Sequence, residues 1–226
     1  MPEPARGVEL IECAISARTH GRYVVAPPLT AGPAPVLVGF HGYGELAEDQ
    51  LERLQAIAGA ERWLIVSIQG LNRFYQLRNN EVVAGWTTRQ DRELAIADNI
   101  AYVASVMNEV IREWPFEQTL VFAGFSQGVA MAYRAAAASS RPVSGVISVG
   151  GDVPPEIEPP ALCRATRALV CRGATDDWYT DEILEKDLRR LRAAGVRVRP
   201  LDFSGGHEWN DEVIRAAEGF LREIHP

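Results

Sequence analysis

Cysteine is scarce in this chain. Its 226 residues include three, Cys13, Cys163 and Cys171, an odd number at spacings that fit no metal motif. A disulfide framework is therefore excluded, and reduced thiols in a reducing compartment are expected. There are four histidines, none with a partner at ligand spacing, so no metal or other cofactor is expected. Basic charge is in deficit: 23 Lys and Arg against 30 Asp and Glu leave a net charge of -7 and a pI of about 5.2. That sign repels phosphate backbones and argues against nucleic acid as a partner. No apolar run approaches the roughly 20 residues of a membrane span, and Met1–Arg6 lacks the basic-then-apolar build of a secretory signal. The expectation is a soluble, cytoplasmic protein without stable membrane insertion.

What the chain does have is enough apolar material, 47% of its residues, to bury a substantial core. No linker or internal repeat divides it, so a single domain over 1–226 is expected. Short β-rich runs alternate with longer helical patterns, which implies an α/β fold with a mostly parallel sheet flanked by helices. The runs at Val8–Ala17 and Arg22–Ala26 flank a short Gly-containing turn and read as an antiparallel hairpin. Strands then follow at Pro35–Phe40, Trp63–Ile68, Thr119–Gly124, Val143–Val149, Arg167–Cys171 and Val196–Phe203, eight in all. Helices are expected at about Glu45–Ala60, Asp91–Glu113, from Ser126, at Thr180–Ala194 and at Asp211–Ile224. Pro154, Pro155, Pro159 and Pro160 read as a rigid loop, and Gln69–Gln90 lacks periodicity. No insertion is large enough for a separate cap domain.

One motif carries chemistry. Gly124-Phe125-Ser126-Gln127-Gly128 is G-x-S-x-G, placed after an apolar strand and before a helical pattern. At such a junction a serine sits on a tight, strained turn that lifts its hydroxyl clear of the sheet, with the free N–H groups of the following helix beside it. In hydrolases built on this turn the acid and the histidine follow the serine in that chain order. His20 and His41 precede Ser126, and His225 is penultimate and expected to be frayed and exposed. His207, in a Gly-rich loop after the last strand, is the expected base. The acid should lie at a strand end between the two. Asp176 is preferred from its spacing to Gly173, Asp177 comes next, and Asp152 is the weaker third. Ser126 would attack an acyl carbon, His207 would carry the proton, and Asp176 would orient the imidazole. The N–H groups of Gln127 and Tyr43, the latter in the loop Phe40–Glu45, are the expected oxyanion donors. His41 in that loop reads as structural.

Taken together, His41-Gly-Tyr-Gly-Glu45, Gly124-Phe-Ser-Gln-Gly128, Gly173-Ala-Thr-Asp176 and Gly205-Gly-His-Glu208 resemble the small carboxylesterase, lysophospholipase and acyl-protein thioesterase group of α/β-hydrolases, from about Val36 to the C-terminus. The resemblance implies a cap-less esterase without metal or cofactor, with Ser126, Asp176 and His207 as its triad. The sequence departs from the family pattern in three places: Val129 stands where a further Gly is common, Arg172 stands where His is usual, and Asp177-Trp178-Tyr179 replace small aliphatics.

Tyr43, Phe74, Tyr75, Trp86, Phe125 and Trp178 are the expected apolar lining, with core packing the competing role for Phe125. Trp178 beside the acid is expected to shorten the acyl pocket. The leading reading is a serine carboxylesterase acting on short-to-medium acyl esters of small molecules. An acyl-protein thioesterase or lysophospholipase is the alternative within the class, and a receptor-like binder with little turnover the alternative outside it. Homodimerisation is left open.

Overall fold

The structure, a computed structural model, describes residues 11–226. A seven-stranded sheet forms its centre, in the order β1(Arg22–Ala26), β3(Leu64–Gln69), β2(Ala34–Phe40), β6(Phe116–Phe125), β7(Gly145–Val149), β8(Arg167–Gly173), β9(Arg197–Phe203). Every neighbouring pair is parallel except β1 with β3. A separate antiparallel hairpin, β4(Asn72–Tyr75) and β5(Val82–Gly85), lies beside it. The helices are α1(Ala47–Gln55), α2(Arg92–Glu113), α3(Gln127–Ala138), the one-turn α4(Pro159–Leu162), α5(Asp181–Ala193) and α6(Asp211–Ile224).

The central strands are apolar without interruption because helices cover both faces of the sheet. Along β2 the side chains alternate between two cores. Val36, Val38 and Phe40 join Val103, Val106 and Val110 of α2, Met131 of α3 and Leu188 of α5. Leu37 joins Leu54 of α1 and Val213, Ala217 and Phe220 of α6 on the opposite side.

The α/β expectation holds, with three corrections. The main sheet has seven strands rather than eight. No strand forms over residues 11–21, where Ile11 and Ile15 stand 85% and 93% exposed. The rest of that expected strand, residues 8–10, lies outside the described residues. Arg22–Ala26 instead pairs with β3, which offers it both ladder hydrogen bonds and a packed face. Within Gln69–Gln90 the β4–β5 hairpin forms, although its burial follows no simple alternation. Finally, α2 has 22 residues and is apolar enough, by length and composition, to span a membrane. Here its Val103, Val106, Met107 and Val110 pack into the core.

Two segments that reach the serine are tied together by one buried carboxylate. Asp187 on α5 is 1% exposed. Its Oδ2 accepts from the Val153 N–H at 2.8 Å and from the Tyr179 hydroxyl at 3.2 Å. Arg190, one turn on, donates to the carbonyls of Val153, Pro154 and Ile157 at 2.7, 2.9 and 3.1 Å. The proline-rich loop after β7 is thus held by side chains of α5, in addition to the stiffness of its prolines. Burial, reinforced by the charge of Asp152, pushes the Asp187 carboxyl up to about 6 against the pull of its two donors and of Arg190.

Asp187→Ala leaves the Val153 N–H and the Tyr179 hydroxyl without their acceptor and should cost about 1–3 kcal/mol, or roughly 2–4 °C in Tm per kcal/mol. Because the carboxyl is raised in the fold, its stabilising share is full below its ordinary value of 3.8 and is lost as pH rises through about 6. The Tm gap between wild type and variant should therefore be wider near pH 4 than near pH 7.5. Thermal unfolding that shows an equal or reversed gap contradicts this.

Candidate active site

At the C-terminal end of β6 the chain turns directly into α3 through Ser126. Its backbone lies at φ 51 and ψ -121, a left-handed conformation that a side-chain-bearing residue adopts only under constraint, at a cost of about 1–3 kcal/mol. The constraint comes from both sides. A Cβ on Gly124 would stand 2.4 Å from the Gly128 carbonyl oxygen, and one on Gly128 would stand 2.1 Å from that of Phe40. Strand end and helix start therefore approach as closely as only glycine permits. The Ser126 N–H donates to the Val149 carbonyl at 2.9 Å, which pins the turn to β7. The serine hydroxyl makes no cap bond to α3.

That hydroxyl is engaged by the histidine. His207 Nε2 lies 2.8 Å from Ser126 Oγ, and His207 Nδ1 lies 2.9 Å from Asp176 Oδ2. A carboxylate only accepts, so Nδ1 carries the proton and donates to Asp176, leaving Nε2 to accept from the serine O–H. The Asp176 side chain is fully buried, while the His207 side chain keeps 27% of its surface exposed, enough to reach a substrate. Asp176 Oδ1 accepts from the N–H groups of Trp178 and Tyr179 at 2.8 and 3.0 Å. The loop carrying His207 is stitched to the acid loop where the Thr175 N–H and hydroxyl both donate to the Gly205 carbonyl at 2.9 Å. Asn210 then caps α6 immediately after it. Of the three aspartates weighed from sequence, only Asp176 meets the imidazole; Asp177 and Asp152 face solvent.

The loop after β2 is held from beneath. Glu45 Oε2 accepts from the Gly42 N–H at 2.7 Å, and Arg53 of α1 binds both oxygens of the same carboxylate. Burial works against the Glu45 charge, but these bonds outweigh it and hold the carboxyl below its ordinary range. The Arg53 guanidinium also stacks over Phe125, 4.4 Å from the ring centroid, and the other neighbour of that ring is His207 at 5.1 Å. The Gly44 N–H donates to the Ala84 carbonyl of β5. Between these anchored amides the Tyr43 N–H has no acceptor among the described residues. The Gln127 N–H, at the first position of α3, has no partner within its helix. His41 is buried: its Nδ1–H donates to the Gly42 carbonyl at 2.6 Å and its Nε2 accepts from the Gly70 N–H at 2.9 Å. Burial pushes its pKa down, against the Gly42 bond, so the ring stays neutral.

Beside Ser126 a cavity of about 200 Å3 is lined by Ser126, His207, Asp152, Trp178, Tyr179 and Ile183, with Gln127 and two glycines. Of the expected aromatic lining only Trp178 is there, 80% exposed. Trp86 is corrected to a core residue: it is fully buried and its indole N–H donates to the His41 carbonyl at 2.9 Å. Phe74 and Tyr75 lie on β4 and do not line the cavity. Phe74 stacks on Tyr43 at 5.2 Å, and Tyr75 faces solvent. Phe125 is core, as its competing role had it. His225 is not frayed; its Nε2 lies 3.0 Å from Glu117 and its ring meets Trp63 edge-on.

Sequence reasoning missed the Glu45–Arg53 clamp, although Glu45 lies within the quoted loop motif. It also missed the Gln127 side chain, which accepts from the Trp86 N–H at 2.7 Å and donates to the Thr87 carbonyl at 2.9 Å. No cluster of three or more His, Cys, Asp or Glu side chains placed to hold a metal occurs among the described residues.

No curated protein matches the sequence significantly. Solved structures match the fold closely. The carboxylesterase of Bacillus cereus superposes with a TM-score of 0.72 at 16% identity, covering 90% of this chain and 94% of that one. Esterase PE8 gives 0.71 at 21%, covering 90% and 99%. Acyl-protein thioesterase 2 of Zea mays gives 0.71 at 20%, covering 91% and 99%. At these identities the likeness speaks for the fold, and the family follows from the sequence model of the phospholipase/carboxylesterase family, which matches residues 22–225. The chain belongs to the phospholipase/carboxylesterase family of α/β-hydrolases.

Proposed function

We propose that the protein is a serine carboxylesterase that hydrolyses short-to-medium acyl esters of small molecules through an acyl-enzyme. The observation that carries this reading is the unbroken hydrogen-bond chain from Ser126 Oγ through His207 to Asp176, at 2.8 and 2.9 Å, on a serine whose backbone is held in a strained turn. In the first step Ser126 Oγ bonds to the ester carbon as its proton passes to His207 Nε2, and the carbonyl oxygen becomes an oxyanion. The unpartnered N–H groups of Gln127 and Tyr43 suit that charge, since preorganised donors need no rearrangement as it develops. Collapse breaks the carbon–oxygen bond to the alcohol, which leaves with the proton from His207. Water then attacks the acyl-enzyme, giving its proton to the same nitrogen, and the acid departs as Ser126 recovers its hydrogen. Asp176 keeps Nδ1 protonated throughout and balances the imidazolium.

The small volume beside Ser126, bordered by Trp178, favours short-to-medium chains over long ones. The thiols of Cys13, Cys163 and Cys171 are unpaired, which supports a cytoplasmic site of action. Acyl transfer by a serine, a histidine and water calls for no cofactor.

A p-nitrophenyl ester series should give the highest kcat/KM between butyrate and octanoate, and Ser126→Ala should abolish turnover of every member; a maximum at palmitate overturns the chain-length reading. Asp176→Asn should lower kcat by roughly 10³–10⁴-fold, by analogy with the serine proteases. Asp177→Asn should change it less than about threefold, because that carboxylate touches neither His207 nor Ser126. Steady-state kinetics that rank the two in reverse would show that the wrong aspartate has been assigned.

A further inference from the structure

The cavity beside Ser126 carries a charge that nothing in the fold uses. Asp152, in the loop after β7, lines the cavity and faces solvent, and its carboxylate has no hydrogen-bond or ion-pair partner among the described residues. Three arginines of the neighbouring segments are committed elsewhere. Arg190 is spent on Asp187 and four loop carbonyls, Arg134 on Glu156, and Arg172 on Asp202 and Asp181. The field of Asp152 is felt within the site, since it adds to the burial that raises both Tyr179 and Asp187.

Facing the same cavity is Trp178, whose large ring is left 80% exposed. Its backbone is anchored to the acid, because the Trp178 N–H is bonded to Asp176 Oδ1. An unpaired carboxylate and an open indole face bordering one small volume form a receptor for a cation. The carboxylate supplies the charge, and the ring supplies a quadrupole that attracts ammonium groups while shielding their apolar methyls. Tyr179 offers no comparable open face, since it is buried.

We propose that Asp152 and Trp178 are specificity-determining residues that select esters bearing an ammonium group, which sits between them while the ester carbonyl lies at Ser126. The proposal rests on the serine-esterase reading of the site and names its substrate class. Anionic esters are disfavoured twice, by Asp152 at short range and by the net charge of -7 at long range.

The test compares kcat/KM for matched pairs: butyrylcholine against its neutral isostere 3,3-dimethylbutyl butyrate, and p-nitrophenyl 4-(trimethylammonio)butanoate against p-nitrophenyl 5,5-dimethylhexanoate. The two pairs place the cation on the alcohol and on the acyl side in turn. For at least one pair the wild type should prefer the cationic ester by about tenfold, the combined size of a partly exposed ion pair and a cation–π contact. That ratio should fall with added salt, drop to about threefold in Asp152→Asn and in Trp178→Ala, and approach one when both are replaced. A wild-type ratio near one for both pairs overturns the proposal and leaves the esterase reading standing. A ratio that is undiminished in Asp152→Asn overturns the assignment of Asp152. Failure to hydrolyse any of the four esters, together with no labelling of Ser126 by a fluorophosphonate, overturns the esterase reading and the proposal with it.

Discussion

The left-handed turn at Ser126 is the constraint on which the rest of the site depends. It is tolerable because Gly124 and Gly128 let β6 and α3 close on each other and on β2, and because the Ser126 N–H is tied to β7. The strain has a consequence: the hydroxyl is taken out of the capping geometry that a serine before a helix usually adopts and is presented to His207 instead. The topology then decides what else can reach it. β6 lies between β2 and β7, and all three run parallel with β8 and β9. Their C-terminal loops therefore emerge along one edge, the usual place for ligands in sheets of this kind. The loop after β2 brings Tyr43, the loop after β7 brings Asp152, the loop after β8 brings Asp176 and Trp178, and the loop after β9 brings His207.

Loops alone would not hold these groups in place, and two carboxylates, the half-buried Glu45 and the buried Asp187, do much of the holding. Glu45 draws the Gly42 amide and Arg53 together, and Arg53 in turn presses Phe125 toward the imidazole. On the other side Asp187 joins the loop after β7 to the segment that follows Asp176, through Val153 and Tyr179. Each carboxylate meets several donors, the condition under which a charge withdrawn from water is tolerated. The two differ in electrostatic outcome. Glu45 has a guanidinium in direct contact and is held low, whereas Asp187 sees its nearest guanidinium only at 3.8 Å and is raised.

Much of this was legible in the sequence. Uninterrupted apolar runs such as Ala34–Phe40 mark strands covered on both faces, and the amphipathic stripe of Asp211–Ile224 marks a helix lying on one. G-x-S-x-G, with the order serine, acid, histidine, was enough to single out Ser126 and His207, and spacing from Gly173 put Asp176 ahead of Asp177. What was not legible depends on which side of a loop a residue faces. Trp86 has the composition of a pocket aromatic, but its indole N–H found a carbonyl acceptor inside the core and the ring went with it. Phe74 and Tyr75 sit on a hairpin whose strands carry no alternation to reveal them. Asp187 looks like any polar residue of an amphipathic helix until the loop it receives is in place. The first expected strand failed for the converse reason: Ile11 and Ile15 alternate suitably, yet no neighbour offers them a face to bury.

The most direct test of the central claim, an activated Ser126, is covalent labelling with a fluorophosphonate followed by mass mapping of the adduct. The account predicts one adduct on Ser126 in the wild type, none in Ser126→Ala, and strongly slowed labelling in His207→Ala. A folded wild-type protein that does not label, or that labels at another residue, would contradict it.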